Sequence, residues 1–310
     1  MIRKIFTSII LTLVAGMGAF AQTSATELDG NVKLMIGSDL GRNGYYEQKP
    51  IAELMGKIAG AVGIDAFLAI GDTHHFIGIG SVNDPLWMTN YELVYSHPEL
   101  QVEWCPVLGN HEYRGNTQAV IDYSGISRRW TMPSRYYTRI FDNDGTRVKV
   151  VFIDTAPIID KYRDDTTGYP DACRQDMDAQ LQWIDKELDR DDNVDWTIVV
   201  GHHPIYAQTT KSGSEREDMQ TRIDPILRKY KVDMYICGHI HNFQHIRKNG
   251  IDYVVNTSGS LARPEVSVTD GTMFCNGSSG FSLLTATSSV LTVSMIDSAG
   301  NVVHQIIRTR

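Results

Sequence analysis

The 310-residue chain has a formal net charge of -8, 42% hydrophobic residues and four cysteines. That content suffices for one large α/β domain with a sizeable core and does not require two. The acidic balance, with no basic block, argues against a general nucleic-acid binder, whose partner needs its phosphates neutralised.

Arg3 and Lys4 precede an apolar stretch from Ile5 to about Val14, and small residues then lead to Ala19-Phe20-Ala21 before Gln22. This is a signal-peptide pattern over residues 1–21, followed by a mature domain over 22–310. A membrane anchor needs about 18 or more apolar residues, whereas Thr7, Ser8, Thr12, Gly16 and Gly18 dilute this shorter stretch. No later segment is long and apolar enough to span a bilayer, so the expectation is a secreted or periplasmic protein with no integral membrane segment after cleavage. Cys105, Cys173, Cys237 and Cys275 permit disulfides in an exported chain. Their positions favour no pairing, and no C-x-x-C spacing marks a metal site.

In chain order, Val32 to Ile36 reads as a short apolar strand ending in Gly37-Ser38-Asp39-Leu40-Gly41. Pro50 opens a helix whose apolar positions Ile51, Leu54, Met55, Ile58, Ala59 and Val62 follow the helical period. A second strand, Ala66 to Ile70, runs into Gly71-Asp72-Thr73-His74-His75. Asp84-Pro85 has the cap and first-turn residues of a helix reaching Leu93 or Val94. Cys105 to Leu108 is a strand ending in Gly109-Asn110-His111-Glu112. Tyr136 to Phe141 and Arg147 to Ile153 form a hairpin across Asn143-Asp144-Gly145.

Asp154 to Asp176 reads as a charged, exposed loop, with a lid as one possible role. Met177, Leu181, Ile184 and Leu188 stripe one helix, and the strand Trp196 to Val200 leads into Gly201-His202-His203-Pro204. Thr209 to Asp218 reads as a solvated loop from which Lys211 or Arg216 could reach a phosphate. Ile223, Ile226, Leu227 and Tyr230 mark a helix with Pro225 at its start or at a kink. Met234 to Ile236 enters Cys237-Gly238-His239-Ile240-His241-Asn242. The rest reads as strands at Ile251 to Val255, Phe281 to Ala286, Val290 to Ile296 and Val302 to Ile307. Alternating β and α with a β-rich end implies an α/β fold of two packed sheets flanked by helices.

Five strands thus end in polar groups: Asp39, Asp72, Asn110, His202, and the pair His239 and His241. Singly, an Asp or Asn after a strand is usually a turn residue. In α/β sheets, however, functional groups gather beyond the carboxyl ends of strands, so scattered tips can share one site. The donors suit two cations: Asp72 can bridge, Asp39 supplies an anionic oxygen, Asn110 an amide oxygen and the histidines neutral nitrogens.

As a set, Asp39-x-Gly41, Gly71-Asp72, Gly109-Asn110-His111-Glu112, Gly201-His202 and Gly238-His239-x-His241 resemble the binuclear metallophosphoesterases. More closely, the chain is similar to the small, tartrate-resistant type of purple acid phosphatase. The likeness extends to Gly115-Asn116, Ile126-Ser127-Arg128-Arg129-Trp130 and Pro133-Ser134-Arg135-Tyr136-Tyr137. It implies a sandwich of two mixed sheets between helical layers. It also implies one metal at Asp39, Asp72 and His241 and another at Asp72, Asn110, His202 and His239. His111 would lie outside the metals and face the departing ester oxygen.

One departure stands out. The purple enzymes carry a tyrosine three residues after the bridging aspartate, and here that position is His75. The wider superfamily often has a histidine in the first motif, where this chain has Gly41, so His75 or His74 is the candidate for the open slot, His75 by matching position. Replacing a phenolate by an imidazole removes a negative charge, so a trivalent ion is less favoured and zinc, manganese or ferrous iron is more plausible than in the purple enzymes. The implied activity is metal-assisted hydrolysis of small phosphoesters, most simply monoesters as in acid phosphatases. The nucleophile is a water shared by two ions, and His111 is the acid that assists departure. A phosphodiesterase or nucleotidase on the same metal pair is the nearest rival. An exported binding protein with a decayed site is the rival of another class, and intact Asp39, Asp72 and Asn110 speak against it.

His203 is expected to point away from the site, His245 to be a pocket-lining or ordinary histidine, and His97 and His304 to have no role. Asn256-Thr257-Ser258 and Asn276-Gly277-Ser278 fit the glycosylation pattern. The sequence sets no oligomeric state.

Overall fold

A computed structural model describes residues 28–310 apart from residue 212, so the signal-peptide expectation lies outside the described residues. The first half runs β1 (Val32–Gly37), α1 (Gln48–Val62), β2 (Ala66–Ile70), β3 (Glu103–Val107), α2 (Thr117–Asp122), β4 (Tyr137–Asn143) and β5 (Thr146–Phe152). Then come α3 (Asp160–Asp164), α4 (Met177–Leu188), β6 (Trp196–Val200), α5 (Ser214–Arg222), α6 (Asp224–Tyr230) and β7 (Met234–Cys237). The β-rich end comprises β8 (Phe243–Lys248), β9 (Ile251–Val255), β10 (Thr272–Asn276), β11 (Gly280–Ala286), β12 (Val290–Asp297) and β13 (Val302–Thr309).

These strands form two mixed sheets, ordered β13-β12-β11-β1-β2-β3 and β10-β8-β9-β7-β6-β5-β4. β1, β2 and β3 run parallel to one another, as do β5, β6, β7 and β9. Every side chain of β2 is buried, and a continuous apolar run such as Ala66-Phe67-Leu68-Ala69-Ile70 is what a strand covered on both faces requires. Parallel strands send their carboxyl ends the same way, so the motif loops after β1, β2 and β3 leave one edge of their sheet together. A bridge between Ser38 and Ser258 ties the tip of β1 to the chain after β9 and so joins the two sheets beside the site. No helix among the described residues is long and apolar enough to cross a membrane.

Four expectations need correction. Asp84 caps as expected, accepting from Leu86 N at 3.0 Å and Gly80 N at 2.7 Å, but the helix it starts widens into a π-turn over Met88–Glu92. That widening directs Asn90 inward, where it is fully buried. The expected exposed loop after β5 folds into short helices, including Ala156–Ile158, α3 and Ala172–Arg174. It is partly buried because Asp154 accepts from Tyr113 Oη at 2.5 Å while Thr155 and Tyr162 pack against the site. The supposed solvated loop over 209–218 contains the start of α5, whose Glu215 is buried. Strands β8 and β10 carry no clear alternation in the sequence and were not anticipated. Pro225 does sit in the first turn of α6, and all four cysteines are free thiols.

Candidate metal centre

The strand tips meet at one place, and their backbones are bent to do so. Asp39, Asp72, His239 and His241 have φ of 51°, 55°, 70° and 65°. Non-glycine residues rarely hold this left-handed conformation, which costs about 1–3 kcal/mol each and collects at functional sites. Gly71 (φ 92°) lets the β2 tip pass close to β6: a Cβ there would run into the His202 ring. Glu112, the last residue of its motif, fastens the β2 and β3 tips together by accepting from Asp72 N, His74 N and Gly109 N at 2.9, 2.9 and 2.7 Å. Burial, then the neighbouring Asp72, pushes its carboxyl up to about 7.

Four histidines are locked in the same way. Nδ1 of His75 donates to Gly41 O at 3.1 Å, of His202 to Ile70 O at 3.0 Å, of His241 to Leu261 O at 2.7 Å, and of His111 to Phe76 O at 2.6 Å. A carbonyl can only accept, so each Nδ1 carries a hydrogen and each Nε2 is left as the outward-facing nitrogen. Three of these Nε2 atoms converge on Asp72 Oδ2: His202 at 3.1 Å, His75 at 3.5 Å and His111 at 3.8 Å. The fourth, of His241, lies 2.9 Å from Asp39 Oδ1. His239 is turned the other way. Its Nε2 is 3.0 Å from Glu215 Oε2, so Nδ1 is its free nitrogen.

These approaches are close, yet Asp39 Oδ1, His75 Nε2, His202 Nε2 and Asn110 Oδ1 are buried without a hydrogen-bond partner. Buried polar atoms are normally satisfied, and a set of orphaned buried oxygen and imidazole donors is what cations of the zinc, manganese or iron kind would complete. Metal-compatible groupings recur through the cluster: Asp39, His75 and His241; Asp39, Asp72 and His202; Asp72, His75 and His111. The donors therefore fit two ions.

The charges agree. Burial works to raise the Asp39 and Asp72 pKa values, but His241 beside the first and His202 and His111 beside the second pull both well below the usual carboxylate range. Burial lowers His202, yet Asp72 and Asp39 outweigh it and push the imidazole up to about 9. Two ionised carboxylates thus make this cluster attractive to cations, and metal binding at such a place releases protons.

His75, His111 and His202 gather on Asp72, His241 on Asp39, and His239 stands beside His202 with ring centroids 5.2 Å apart, while Asn110 Oδ1 is buried without a hydrogen-bond partner. His75 lines the cluster; His74 does not. His74 instead packs edge-on against Trp87 with ring centroids 4.4 Å apart, and its Nδ1 is 3.4 Å from Asn90 Nδ2. His203 lies beside the cluster, but both its nitrogens are engaged, with Thr155 Oγ1 at 2.7 Å and Tyr162 Oη at 3.0 Å. Lys211 donates to His239 O at 2.5 Å, and burial brings its ammonium down to about 8. His245 and His304 belong to a separate network with Asp252 on β8, β9 and β13. His97 caps the turn Pro98–Leu100.

Glu215 is the residue that sequence reasoning missed. Its Oε1 accepts from Lys161 Nζ at 2.5 Å and Tyr162 Oη at 3.0 Å. Burial would raise its pKa, but His239 and Lys161 hold the carboxylate far below its ordinary range. Nothing in the strongly polar run Ser214-Glu215-Arg216-Glu217-Asp218 distinguishes it from its solvated neighbours.

The model of the family described as calcineurin-like phosphoesterase matches residues 32–243. Purple acid phosphatase 4 of Arabidopsis thaliana is 32% identical over 295 residues, spanning 89% of this chain and 83% of that protein. Tartrate-resistant acid phosphatase type 5 of Oryctolagus cuniculus is 31% identical over 264 residues, 80% of each chain. Among solved structures, the fold is shared with GAP50, the anchor in the inner membrane complex of Plasmodium. That match has a TM-score of 0.76 and 21% identity, and covers 91% of this chain and 89% of that one. Purple acid phosphatase PPD1 from yellow lupin gives a TM-score of 0.63 at 18% identity, over 90% of this chain and 54% of that one. The chain belongs to the calcineurin-like phosphoesterase family, as a relative of the purple acid phosphatases with donors for two metal ions.

Proposed function

We propose that the chain is an exported phosphomonoesterase of the acid-phosphatase type. In this reading Asp39, Asp72, His75 and His241 hold one ion, and Asp72, Asn110, His202 and His239 hold the other. When bound, the two ions supply charge to neutralise the phosphoryl oxygens and to activate a water. The protein's part is positional. Carbonyls at Gly41, Ile70 and Leu261 fix the tautomers of His75, His202 and His241, and Glu215 fixes that of His239. In this reading His111, whose Nε2 lies 3.8 Å from Asp72 Oδ2, stands outside the ligand set. Its side chain is 15% exposed against 2% or less for His75 and His202, so it is the imidazole best placed to give a proton at Nε2 to the departing alcohol oxygen.

The observation that carries this reading is the set of orphaned buried donors, Asp39 Oδ1, His75 Nε2, His202 Nε2 and Asn110 Oδ1. The test is to reconstitute the protein with zinc, manganese or iron and assay an alkyl monoester, an aryl monoester and a diester side by side. Preferential monoester turnover supports the proposal. Preferential diester turnover replaces it with a phosphodiesterase on the same site, and no turnover with no bound metal leaves a binding role on this fold.

A further inference from the structure

Beside the candidate metal centre, a pocket is lined by Arg42, Asn43, Tyr45, Tyr46, His75 and Phe76. Three of these are aromatic and exposed: Tyr45 at 71%, Tyr46 at 61% and Phe76 at 59%. Exposed large apolar side chains scattered singly need no explanation, but a cluster at the rim of a polar site does.

The tyrosines are on a fixed loop. Gln48 and Asn90, both fully buried, pin it from beneath. Gln48 Oε1 accepts from Arg42 N and Gly44 N at 2.9 and 2.7 Å, and Asn90 Oδ1 accepts from Asn43 N at 2.7 Å. Asn43 and Tyr46 are held at φ of 56° and 55°, a strained conformation for a bulky residue. The loop therefore presents its rings in one place at a backbone cost, which is the pattern of a preorganised contact surface.

Phe76 faces the loop and connects it to the chemistry. Its carbonyl accepts from His111 Nδ1, its ring centroid is 6.4 Å from that of His111, and the preceding residue is His75. The Arg42 guanidinium lies over the Phe76 ring, 4.8 Å from its centroid. Arg42 Nε is buried with no hydrogen-bond partner, within electrostatic reach of Asp39 and Asp72. A sugar or polyol would need several directed polar partners, but Asn43 Oδ1 is already taken by Thr89 Oγ1 at 2.6 Å. Flat apolar walls next to one cation suit a planar ring attached to a phosphoryl group.

We propose that this pocket is a leaving-group subsite that selects phosphomonoesters of aromatic alcohols. Tyr45, Tyr46 and Phe76 hold the ring, and Arg42 lies between the ring and the phosphoryl oxygens. The inference rests on the phosphomonoesterase reading above, and Tyr45, Tyr46 and Arg42 are specificity residues in it rather than catalytic ones.

The test uses non-hydrolysable phosphonates, so that the reactivity of the leaving group plays no part. Inhibition constants of benzylphosphonate and propylphosphonate are measured on the metal-loaded full chain, on the Tyr45→Ala/Tyr46→Ala double variant and on Arg42→Met. The expected result is that benzylphosphonate binds the native protein about tenfold more tightly, and that the ratio falls to within about twofold in the double variant. Both tyrosines are on the surface, so that variant keeps its core, and far-ultraviolet circular dichroism with metal content verifies this. Arg42→Met should weaken both phosphonates while leaving part of the ratio. Equal binding of the two phosphonates by the native protein, or an unchanged ratio in the double variant, overturns the subsite alone. Failure of the loaded protein to bind either phosphonate removes the phosphoester reading and the subsite with it.

Discussion

His239 Nε2 lies 3.0 Å from Glu215 Oε2, and this contact reverses the ring relative to His75, His202 and His241, which are all held through Nδ1. The carboxylate leaves Nδ1 of His239 as the only free ring nitrogen, in the manner of a carboxylate–histidine–metal triad. Replacing Glu215 by Ala or Gln should weaken the second ion by about 10- to 100-fold, with the ion at Asp39, His75 and His241 retained. Metal stoichiometry after dialysis falling from two to one per chain is the expected outcome. Two tightly held ions in Glu215→Ala would remove Glu215 from this role. Glu215→Asp tests reach: its shorter side chain should restore little.

Asp72 is the point where three imidazoles approach one oxygen. Asp72→Asn keeps the shape but halves the capacity to bridge and removes the charge, so it should lose both ions and hydrolysis together. The check is equilibrium metal binding by calorimetry alongside turnover; loss of activity with two ions still bound would contradict a bridging role.

His111 acts, in the proposed mechanism, on the leaving group rather than on the ions. His111→Ala should therefore lower kcat for an alkyl phosphate by about 10² to 10⁴, while an aryl phosphate with a good leaving group loses much less. Metal content should stay at two. An equal loss on both substrates would assign His111 to binding instead of proton transfer.

The tip of β1 leaves no room for a side chain at Gly41, because a Cβ there would collide with Thr73 O. The Gly41 carbonyl instead orients His75, and in the proposed ligand set the imidazole of the second motif takes the place of both the superfamily's first-motif histidine and the purple enzymes' tyrosine. An iron-loaded protein should then lack the intense visible band of a tyrosinate bound to ferric iron, and His75→Tyr should acquire it. A purple native protein would show that another tyrosine reaches the metal.

Much of this site was legible before the structure. Gly71-Asp72 and Gly238-His239 announce themselves because each follows an apolar run too short for a helix and closed by glycine, so local pattern places the donors at strand tips. The choice between His74 and His75 was not settled by pattern, since it depends on which ring meets Gly41 O and which meets Trp87. Glu215 was invisible for a different reason. A buried carboxylate whose partners are Lys161, Tyr162 and His239, from two distant segments, has the same local sequence as a solvated one. The same holds for β8: Gln244, His245 and Arg247 break apolar alternation because they are satisfied by Asp252, Gln208 and one another's neighbours.

That strand supplies the last expectation, about stability rather than chemistry. Asp252, on β9 and fully buried, accepts from His245 Nε2 at 2.8 Å, Arg247 Nε at 2.6 Å and Arg308 Nη1 at 2.7 Å, which holds β8 to β9 within one sheet and ties β13 of the other sheet to them. Burial would raise its pKa, but His245, Arg247 and Arg308 together hold it well below the usual carboxylate range. A depressed folded-state pKa stabilises the protein above the unfolded value, near 4, and that contribution disappears as the pH falls through the lower folded-state value. Asp252→Asn should thus cost about 2–3 kcal/mol at pH 7, read from urea unfolding of the metal-free chain. The gap between native protein and variant should narrow steadily below about pH 4. A gap independent of pH would mean that Asp252 contributes through packing and hydrogen-bond geometry alone, with no part played by its charge.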